Sequence, residues 1–462
     1  MSKKKRHIPV QKNEQYTERI IDYTHEGLGV AKVDGYPIFI EEAMVDELVT
    51  FKIVKTGKNF GFGIVNDILE ANKERVDPIG RVYSQTGTMD LQHMSYAAQL
   101  AFKKERVQEA IRKIGHIENV EVEDTIGMNF PYEYRNKAQV PLREDGNGHL
   151  YTGFFRKRSH DVIPIDNFVI QHPEIDEAII KVRHILEDFG IRGYDEKNHR
   201  GDIKHILVRR GQFTKEVMIT LVSRTKNLRY KEEIAKRIVE EVPNVVSVVR
   251  NINTKRTNVI LGRDFEVLYG EDAYTDTLFD LTFKISHQSF FQVNSIQTEK
   301  LYQTAIDYAN LSKNDIVIDA YSGIGTMTLV AAQKVKQAYG IEIVESAVEN
   351  SKENAQLNNI NNVTFEVGKA EEWMVDQAKF GLEVDVIIVD PPRKGLDTIF
   401  IDAALEVAPE RIVYVSCNPS TLARDLKLFT EGGYGLRKVQ PVDMFPQTYH
   451  TECVALLTRL NE

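Results

Sequence analysis

Residues 315–326 read DIVIDAYSGIGT, an apolar run that leads into an aspartate and a glycine-rich turn. Similar apolar runs recur further along the chain, separated by stretches with helical spacing, and each ends in polar or turn-forming residues. They are QAYGIEIV (337–344), NVTFEVG (362–368), VDVIIVDPP (384–392) and RIVYVSCNP (411–419). Near-continuous apolar strands that alternate with helices are typical of a parallel sheet covered on both faces. The sequence therefore predicts an α/β fold with a doubly wound, mostly parallel sheet, which LRKVQPVDMF (436–445) and CVALLTRL (453–460) would complete.

The first two strand ends indicate a site for a nucleoside-containing cofactor. Ligands of such sheets bind at the carboxyl ends of the strands. A dinucleotide fingerprint would need a third glycine where this chain has Thr328, so a nicotinamide cofactor is disfavoured. Glu342 follows Asp319 at roughly the 20-residue spacing at which an acidic side chain accepts hydrogen bonds from ribose hydroxyls.

Three later residues could perform chemistry at the same edge. Asp390 precedes two prolines, which cannot continue a strand and would hold a rigid loop. Cys417 lies at the next strand end, ahead of a helix whose positive end would lower the thiol pKa and favour a nucleophilic thiolate. Glu452 opens the last strand and could act as a base, whereas the neighbouring Cys453 begins an apolar run and is expected in the core.

The amino-terminal part, residues 8–68, reads as short strands with frequent glycines. Asp34-Gly35 between alternating apolar residues predicts a hairpin. About five strands in so short a segment suggest a small barrel of the OB type, a fold that often binds oligonucleotides. Aromatic residues among lysines in FKIVKTGKNFGF (51–62) could stack on bases, or they could simply fill the barrel.

The remaining chain divides by its pattern. Residues 94–119 predict an amphipathic helix that packs on the carboxy-terminal domain. Residues 69–93 and 120–275 form a central α+β region, the carboxy-terminal domain extends from 276 to 462, and residues 1–7 are a basic tail. Within the central region, Lys197–Arg237 holds twelve Lys or Arg against four Asp or Glu, and this stretch or Arg156-Lys157-Arg158 could contact phosphates.

Composition narrows the function classes. The 462 residues carry a net charge of −9 and 42% hydrophobic residues, as in ordinary globular proteins. Two cysteines exclude a disulfide framework and a four-cysteine metal site. No apolar run approaches the roughly 20 residues of a membrane helix, and no apolar signal follows the basic start. These features predict a cytoplasmic protein without membrane contact, and no motif implies a protein partner.

Taken together, the motifs resemble those of the RNA 5-methyluridine methyltransferases that depend on S-adenosyl-L-methionine (AdoMet), and most closely those of the 23S ribosomal RNA uracil-5 methyltransferases. The resemblance covers nearly the whole chain, since residues 8–68 look like that family's TRAM domain. The motifs that carry it are SFFQVN (289–294), DAYSGIG (319–325), GIE (340–342), DPPRKG (390–395), SCNP (416–419) and HTEC (450–453).

The resemblance implies a class I methyltransferase domain, with a Rossmann-like sheet, and a reaction that begins when a thiolate adds to C6 of a uridine in RNA. This addition makes C5 nucleophilic, C5 takes the methyl group, and a base removes the C5 proton. By motif position, Cys417 is the nucleophile and Glu452 the base. The family's AdoMet positions correspond to Gln292, Tyr321, Glu342 and Asp390.

One departure from the family pattern is large. Many members hold an iron–sulfur cluster on four cysteines, but the corresponding positions here are Gly80, Thr86, Met89 and, near the fourth, Phe168. None of these side chains is a ligand for a cluster. We therefore expect no cluster and no metal, and the RNA must be selected by protein contacts.

Other readings of the same residues stay open. A transfer-RNA uracil-5 methyltransferase shares every motif above. A methyltransferase acting on an exocyclic amine would also use the Asp390 loop, but it would not need Cys417. DNA cytosine-5 methylation shares the thiol addition, although its cysteine usually follows an earlier strand. A noncatalytic RNA-binding protein on the same scaffold is disfavoured because the whole constellation is present.

Overall fold

The computed structural model describes residues 8–460, so the predicted basic tail at 1–7 lies outside the described residues. The strands are β1 (Gln15–Arg19), β2 (Asp22–Tyr23), β3 (Gly29–Val33), β4 (Tyr36–Glu41), β5 (Leu48–Thr56), β6 (Gly61–Glu70), β7 (Lys137–Glu144), β8 (Leu150–Phe155), β9 (Val162–Pro164), β10 (Ile203–Arg210), β11 (Val217–Ser223), β12 (Val245–Ile252), β13 (Asp264–Gly270), β14 (Ala273–Leu278), β15 (Leu281–Ser286), β16 (Ile316–Ala320), β17 (Gln337–Glu342), β18 (Val363–Val367), β19 (Val386–Val389), β20 (Arg411–Ser416), β21 (Tyr434–Val442) and β22 (Glu452–Arg459). The helices are α1 (Arg81–Thr86), α2 (Tyr96–Lys113), α3 (Pro173–Asp188), α4 (Lys231–Glu241), α5 (Ser295–Ala309), α6 (Thr326–Ala332), α7 (Glu345–Leu357), α8 (Ala370–Phe380), α9 (Thr398–Val407) and α10 (Pro419–Glu431). Within this part of the chain, none of the helices combines the length and hydropathy that crossing a membrane requires.

The carboxy-terminal sheet has the order β18-β17-β16-β19-β20-β22-β21. Its first five strands are parallel, and β22 is inserted antiparallel between β20 and β21. Two buried apolar clusters cover the sheet, one against α5, α6 and α7 and the other against α9 and α10. The predicted doubly wound, mostly parallel sheet is confirmed by this strand order and by the helices on both faces. Its central strands β16, β19 and β20 are largely apolar, as a sheet covered on both faces requires.

The amino-terminal sheet has the order β1-β5-β6-β4-β3-β2 and its own apolar core. The hairpin at Asp34-Gly35 is confirmed: both residues have positive φ values, of 48° and 78°, and they join β3 to β4. Alternation along β4 points Ile38 and Ile40 inward and leaves Phe39 on the outer face. The strand β6 runs to Glu70, two residues past the predicted end of this region at 68.

The central sheet has the order β13-β12-β11-β10-β7-β8-β9, and α3 and α4 pack on its apolar core. Two boundaries predicted for this region differ from the structure. Val122 and Ile126 form bridges with Val439 and Val442 at the edge of the carboxy-terminal sheet, so this stretch belongs to that sheet. The hairpin β14–β15 begins at Ala273, before the predicted boundary at 276, and its apolar side chains also join the carboxy-terminal core.

The helix α2 lies against the carboxy-terminal domain. Ser95 caps its amino terminus by accepting a hydrogen bond from the Ala98 N–H. Its Val107 and Ile111 are fully buried in the same cluster as β20 and α10. The helix α2 therefore follows the amino-terminal sheet in the chain and buries its apolar side against the carboxy-terminal sheet and α10.

The positions that correspond to the family's cluster ligands lie in or beside a small apolar core. Met89 is fully buried and Phe168 is 3% exposed. The ring of Phe168 lies 4.3 Å from that of Phe154 and 5.6 Å from that of Tyr83, measured between centroids. Apolar packing therefore connects residues 83–89 to the central sheet here.

Candidate active site

The structure brings all six predicted site residues to one cavity of about 690 Å³ at the carboxyl ends of the parallel strands. Most of them follow different strands of the same sheet, because parallel strands end at one edge. The six are Gln292, Tyr321, Glu342, Asp390, Cys417 and Glu452.

The glycine turn after β16 is shaped by a carboxylate at the end of β17. Glu342 accepts hydrogen bonds from the Gly323 N–H (3.0 Å) and the Val344 N–H (2.9 Å), which fixes the orientation of its carboxylate. Gly323 has φ +57°, and a Cβ at this position would meet nothing within 4 Å, so the turn leaves open space beside its backbone. Tyr321 also has a positive φ, 72°, and its N–H donates to the Ile341 carbonyl.

The charge of the cavity fits AdoMet, which carries a cationic sulfonium. Burial raises the pKa of Asp319 to about 7, and Thr328 donates a 2.5 Å hydrogen bond to its carboxylate. Burial also raises the pKa values of Asp390 and Glu452, and the proximity of these two carboxyl groups raises that of Glu452 further. A cation in this acidic cavity would relieve the repulsion among the carboxylates. The residues present therefore fit the group.

Cys417 and Glu452 approach each other through strand register. Ser416 at the end of β20 pairs with Cys453 on β22, so Cys417 and Glu452 are the next facing positions. Glu452 is 5% exposed, and Cys453 is fully buried, as expected from the sequence.

The prediction of a lowered thiol pKa is wrong for this structure. Burial, together with the nearby Glu452 and Asp390, raises the pKa of Cys417 to about 11. These effects exceed any stabilisation of a thiolate by the positive end of α10. A reaction that used the Cys417 thiolate would therefore need neighbouring charges or a bound substrate to lower this pKa.

Arg393 is a site residue that our sequence analysis did not single out. It lines the first cavity and also a second one of about 380 Å³, and Cys417 lies at the junction of the two. Its charge lowers the pKa values of Cys417, Glu452 and His450. Asn418 donates a 3.1 Å hydrogen bond to the Arg393 carbonyl, which ties the loop after β19 to the loop after β20. The signal was present in the sequence, since Arg393 belongs to the DPPRKG motif.

The second cavity opens between the amino-terminal sheet, α2 and the catalytic loops. His25, between β2 and β3, lines it from the amino-terminal region. Arg106 and Lys113 line it from α2, and Tyr449 and His450 line it from the segment before Glu452. Cys417 lines this cavity as well as the acidic one, so the residue borders two separate cavities.

The loop before Glu452 is held by buried polar contacts. Lys103 of α2 forms a 2.5 Å ion pair with Asp443, and both side chains are fully buried. Tyr96 donates a 2.8 Å hydrogen bond to the other oxygen of Asp443. The side-chain amide of Gln99 donates a 3.0 Å hydrogen bond to the side-chain oxygen of Gln447 and accepts one from the Gln447 backbone N–H. Nothing in the sequence pattern pairs these residues, which are more than 300 positions apart.

Much of the basic stretch Lys197–Arg237 is engaged within the protein. Lys204, Arg209 and Arg210 are at least 96% buried. Arg210 pairs with Glu174, and Arg209 donates to the carbonyls of His287 and Ser289. The local charge surplus therefore overstates the positive surface that this stretch offers.

Comparison with known proteins identifies the family. A family model described as tRNA (uracil-5-)-methyltransferase matches residues 95–460. The chain belongs to this family. It is an RNA methyltransferase that depends on AdoMet, and within the described residues no group of three or more His, Cys, Asp or Glu could hold a metal ion.

Its relatives agree with the family assignment. A protein of Enterococcus faecalis described as an uncharacterized RNA methyltransferase is 51% identical over 98% of this chain and 99% of its own length. One of Lactiplantibacillus plantarum with the same description is 52% identical, over 98% of this chain and 99% of its own. The crystal structure of the Pyrococcus abyssi tRNA (uracil-54, C5)-methyltransferase with S-adenosyl-L-homocysteine matches with a TM-score of 0.76 and 26% identity, covering 96% of this chain and 99% of that one.

Proposed function

We propose that this family member methylates C5 of specific uridines in 23S ribosomal RNA through a covalent bond between Cys417 and C6 of the uracil. The observation that carries the proposal is the placement of Cys417, directly after the last β20–β22 pair of Ser416 with Cys453, opposite Glu452 and on one cavity with Asp390. A nucleophile and a base placed side by side in this way can act on adjacent carbons of one ring. Methylation of an exocyclic amine would need neither of them.

In the proposed reaction, the thiolate of Cys417 adds to C6 and the electron pair moves towards C5. AdoMet, when bound, supplies the methyl group that C5 accepts. The carboxylate of Glu452 then takes the C5 proton, the bond between C6 and sulfur breaks, and the thiolate is regenerated. Arg393 lies where its positive charge stabilises the thiolate and the charge that develops on the ring.

The other four site residues would hold the cofactor. Glu342 presents an oriented carboxylate for the ribose hydroxyls. Tyr321 offers an aromatic face at the end of β16, and Gln292 is a buried amide on the same cavity. Asp390 would lie between the cofactor and the target base.

The RNA would reach Cys417 through the second cavity. A uridine must leave its stack before its C6 atom is accessible, so an unpaired or loop nucleotide is the expected substrate. The amino-terminal sheet, which we interpret as a TRAM domain of the OB type, borders this cavity through His25. A cytoplasmic location is part of the same proposal, since ribosomal RNA is modified there.

A mechanism-based trap tests the proposal. RNA containing 5-fluorouridine is incubated with AdoMet and the wild-type protein, and a denaturation-stable adduct is sought. Fluorine at C5 cannot leave as a proton, so the covalent intermediate should accumulate. Cys417→Ala should give no adduct, whereas Cys453→Ala, which removes the other cysteine, should retain it.

The choice of RNA distinguishes the candidate substrates. We expect the adduct on 23S ribosomal RNA, and mapping it names the uridine. Transfer RNA is the second candidate, favoured by the similarity to the Pyrococcus abyssi enzyme, and an adduct on it alone would replace ribosomal RNA in the proposal. Methyl transfer that persists in Cys417→Ala would contradict the covalent mechanism.

A further inference from the structure

Three phenylalanine rings form a cluster on the outer face of the amino-terminal sheet. Phe39 of β4 stacks on Phe60 with centroids 5.0 Å apart, and Phe62 of β6 packs edge-on against both rings at 5.9 Å and 5.6 Å. Phe39 and Phe62 are partners in the ladder between β4 and β6, so strand register sets their separation. Phe60 as a residue remains 40% exposed. We call these three residues the aromatic cluster.

The aromatic cluster is not part of the core of its sheet. The core is filled from the other face, where Ile38, Ile40 and Phe51 are fully buried. The two faces alternate along β4 and β6, and glycines at 61 and 63 occupy the inward positions beside Phe62. The three rings therefore do not fill the core of this sheet, and they form an aromatic surface on its outer face.

Three positively charged residues flank the aromatic cluster, one in contact with a ring, one by strand register and one in the adjoining turn. The guanidinium of Arg158, from the loop after β8, lies 5.6 Å from the centre of the Phe62 ring. Lys55 is the ladder partner of Phe62 on β5, and Lys58 lies in the turn that leads to Phe60. Lys55, Lys58 and Arg158 are all exposed. Aromatic faces with flanking cations are the combination that single-stranded nucleic acids bind by stacking and phosphate contact.

We propose that the aromatic cluster is a stacking site for an unpaired base of the substrate RNA, outside the catalytic cavity, with Arg158, Lys55 and Lys58 contacting the adjoining phosphates. The choice of RNA as the occupant rests on the proposed function, and charge complementarity supports it. A chain with a net charge of −9 gains little from general attraction to RNA, so local cations beside stacking surfaces must provide the affinity. The cluster would hold RNA at a second point while a uridine occupies the active site.

Binding by an unstructured RNA tests the stacking site directly. We would measure the Kd of a fluorescent oligouridine and of 23S ribosomal RNA fragments for the full-length protein, with Phe60→Ala, Phe60→Leu and Phe60→Tyr. Loss of one stacked base weakens binding by roughly 5- to 160-fold. We expect that loss for Phe60→Ala and much of it for Phe60→Leu, whereas Phe60→Tyr keeps an aromatic face and should bind like the wild type. Phe380→Ala is the matched control, because Phe380 is 81% exposed at the end of α8.

The outcomes separate this inference from the proposed function. Unchanged Kd values for Phe60→Ala would overturn the stacking site, even if the wild-type protein methylates RNA normally. Equal binding by Phe60→Leu and the wild type would also overturn it, since an apolar contact would then suffice and a protein partner would fit the surface better. If Phe60→Ala weakens RNA binding while no 5-methyluridine forms with any RNA, the stacking site stands and the proposed reaction fails. At saturating RNA, kcat of Phe60→Ala should match that of the wild type.

Discussion

At the scale of single residues, the site depends on charges that oppose one another around Cys417. Its thiol pKa is raised to about 11 by burial, with further contributions from Glu452 and Asp390, and Arg393 acts in the other direction. A thiol with that pKa is almost fully protonated at neutral pH. Burial therefore sets a low thiolate fraction, and the balance between one cation and two carboxyl groups adjusts it.

Replacing Arg393 should change this balance measurably. We expect Arg393→Ala to raise the thiol pKa further and to slow alkylation of Cys417 by iodoacetamide at pH 9, by about tenfold for each unit of pKa shift. Arg393→Lys keeps the charge and should react at nearly the wild-type rate. Mass spectrometry assigns the modified cysteine. A wild-type rate in Arg393→Ala would show that the cation does not act on the thiol.

Glu452 should make the protein less stable at high pH. Burial raises its pKa in the folded protein above the value of about 4.3 in an unfolded chain. Its contribution to the free energy of unfolding is thus fully present below about pH 4 and is lost as pH rises through the folded-state pKa. Glu452→Gln removes the ionisation and should raise Tm most at pH 8, with a gain that shrinks towards pH 5. A gain of the same size at both pH values would contradict a raised pKa.

At the scale of elements, α2 positions the loop that leads to Glu452. Lys103 and Asp443 are fully buried partners, so removing one leaves the other charge without compensation. Lys103→Met should lower the free energy of unfolding by about 3–5 kcal/mol, measured by urea denaturation. Lys104→Met on the same helix is the control, because its ion pair with Asp124 is exposed and should leave the midpoint unchanged. A similar small effect of both substitutions would show that the buried pair does not hold the loop.

The sequence predicts the elements of the catalytic sheet well for a physical reason. Parallel strands are buried on both faces, so runs such as 316–318 and 386–389 are apolar at every position and stand out from the helices between them. The order of the strands then places Asp390, Cys417 and Glu452 at one edge. Contacts between residues that are far apart in the sequence leave no such pattern. The partnership of Lys103 with Asp443 and the second cavity beside Cys417 depend on packing between elements, and only the structure shows them.

At the scale of the whole molecule, local charge along the chain is a poor guide to positive surface. The stretch Lys197–Arg237 has the largest basic surplus that we noted, yet its strand β10 is buried along its whole length. Arg210 and Arg237 are paired with acidic partners. Arg158, which belongs to a shorter basic run, is exposed beside the aromatic cluster. The cations able to neutralise phosphates are therefore those that folding leaves on the outside without a carboxylate.

The salt dependence of RNA binding distinguishes a contact at Arg158 beside the aromatic cluster from a contact within Lys197–Arg237. Each neutralised phosphate of a single-stranded RNA contributes about −0.7 to the slope of log K against log salt concentration. We expect Arg158→Ala to make the slope shallower by roughly that amount, because its guanidinium would no longer displace a counterion. Lys236→Ala, within Lys197–Arg237 and already near Glu240, should leave the slope unchanged. If instead Lys236→Ala flattens the slope and Arg158→Ala does not, the RNA contacts the central region at Lys236, and the proposed phosphate contact of Arg158 beside the aromatic cluster is wrong.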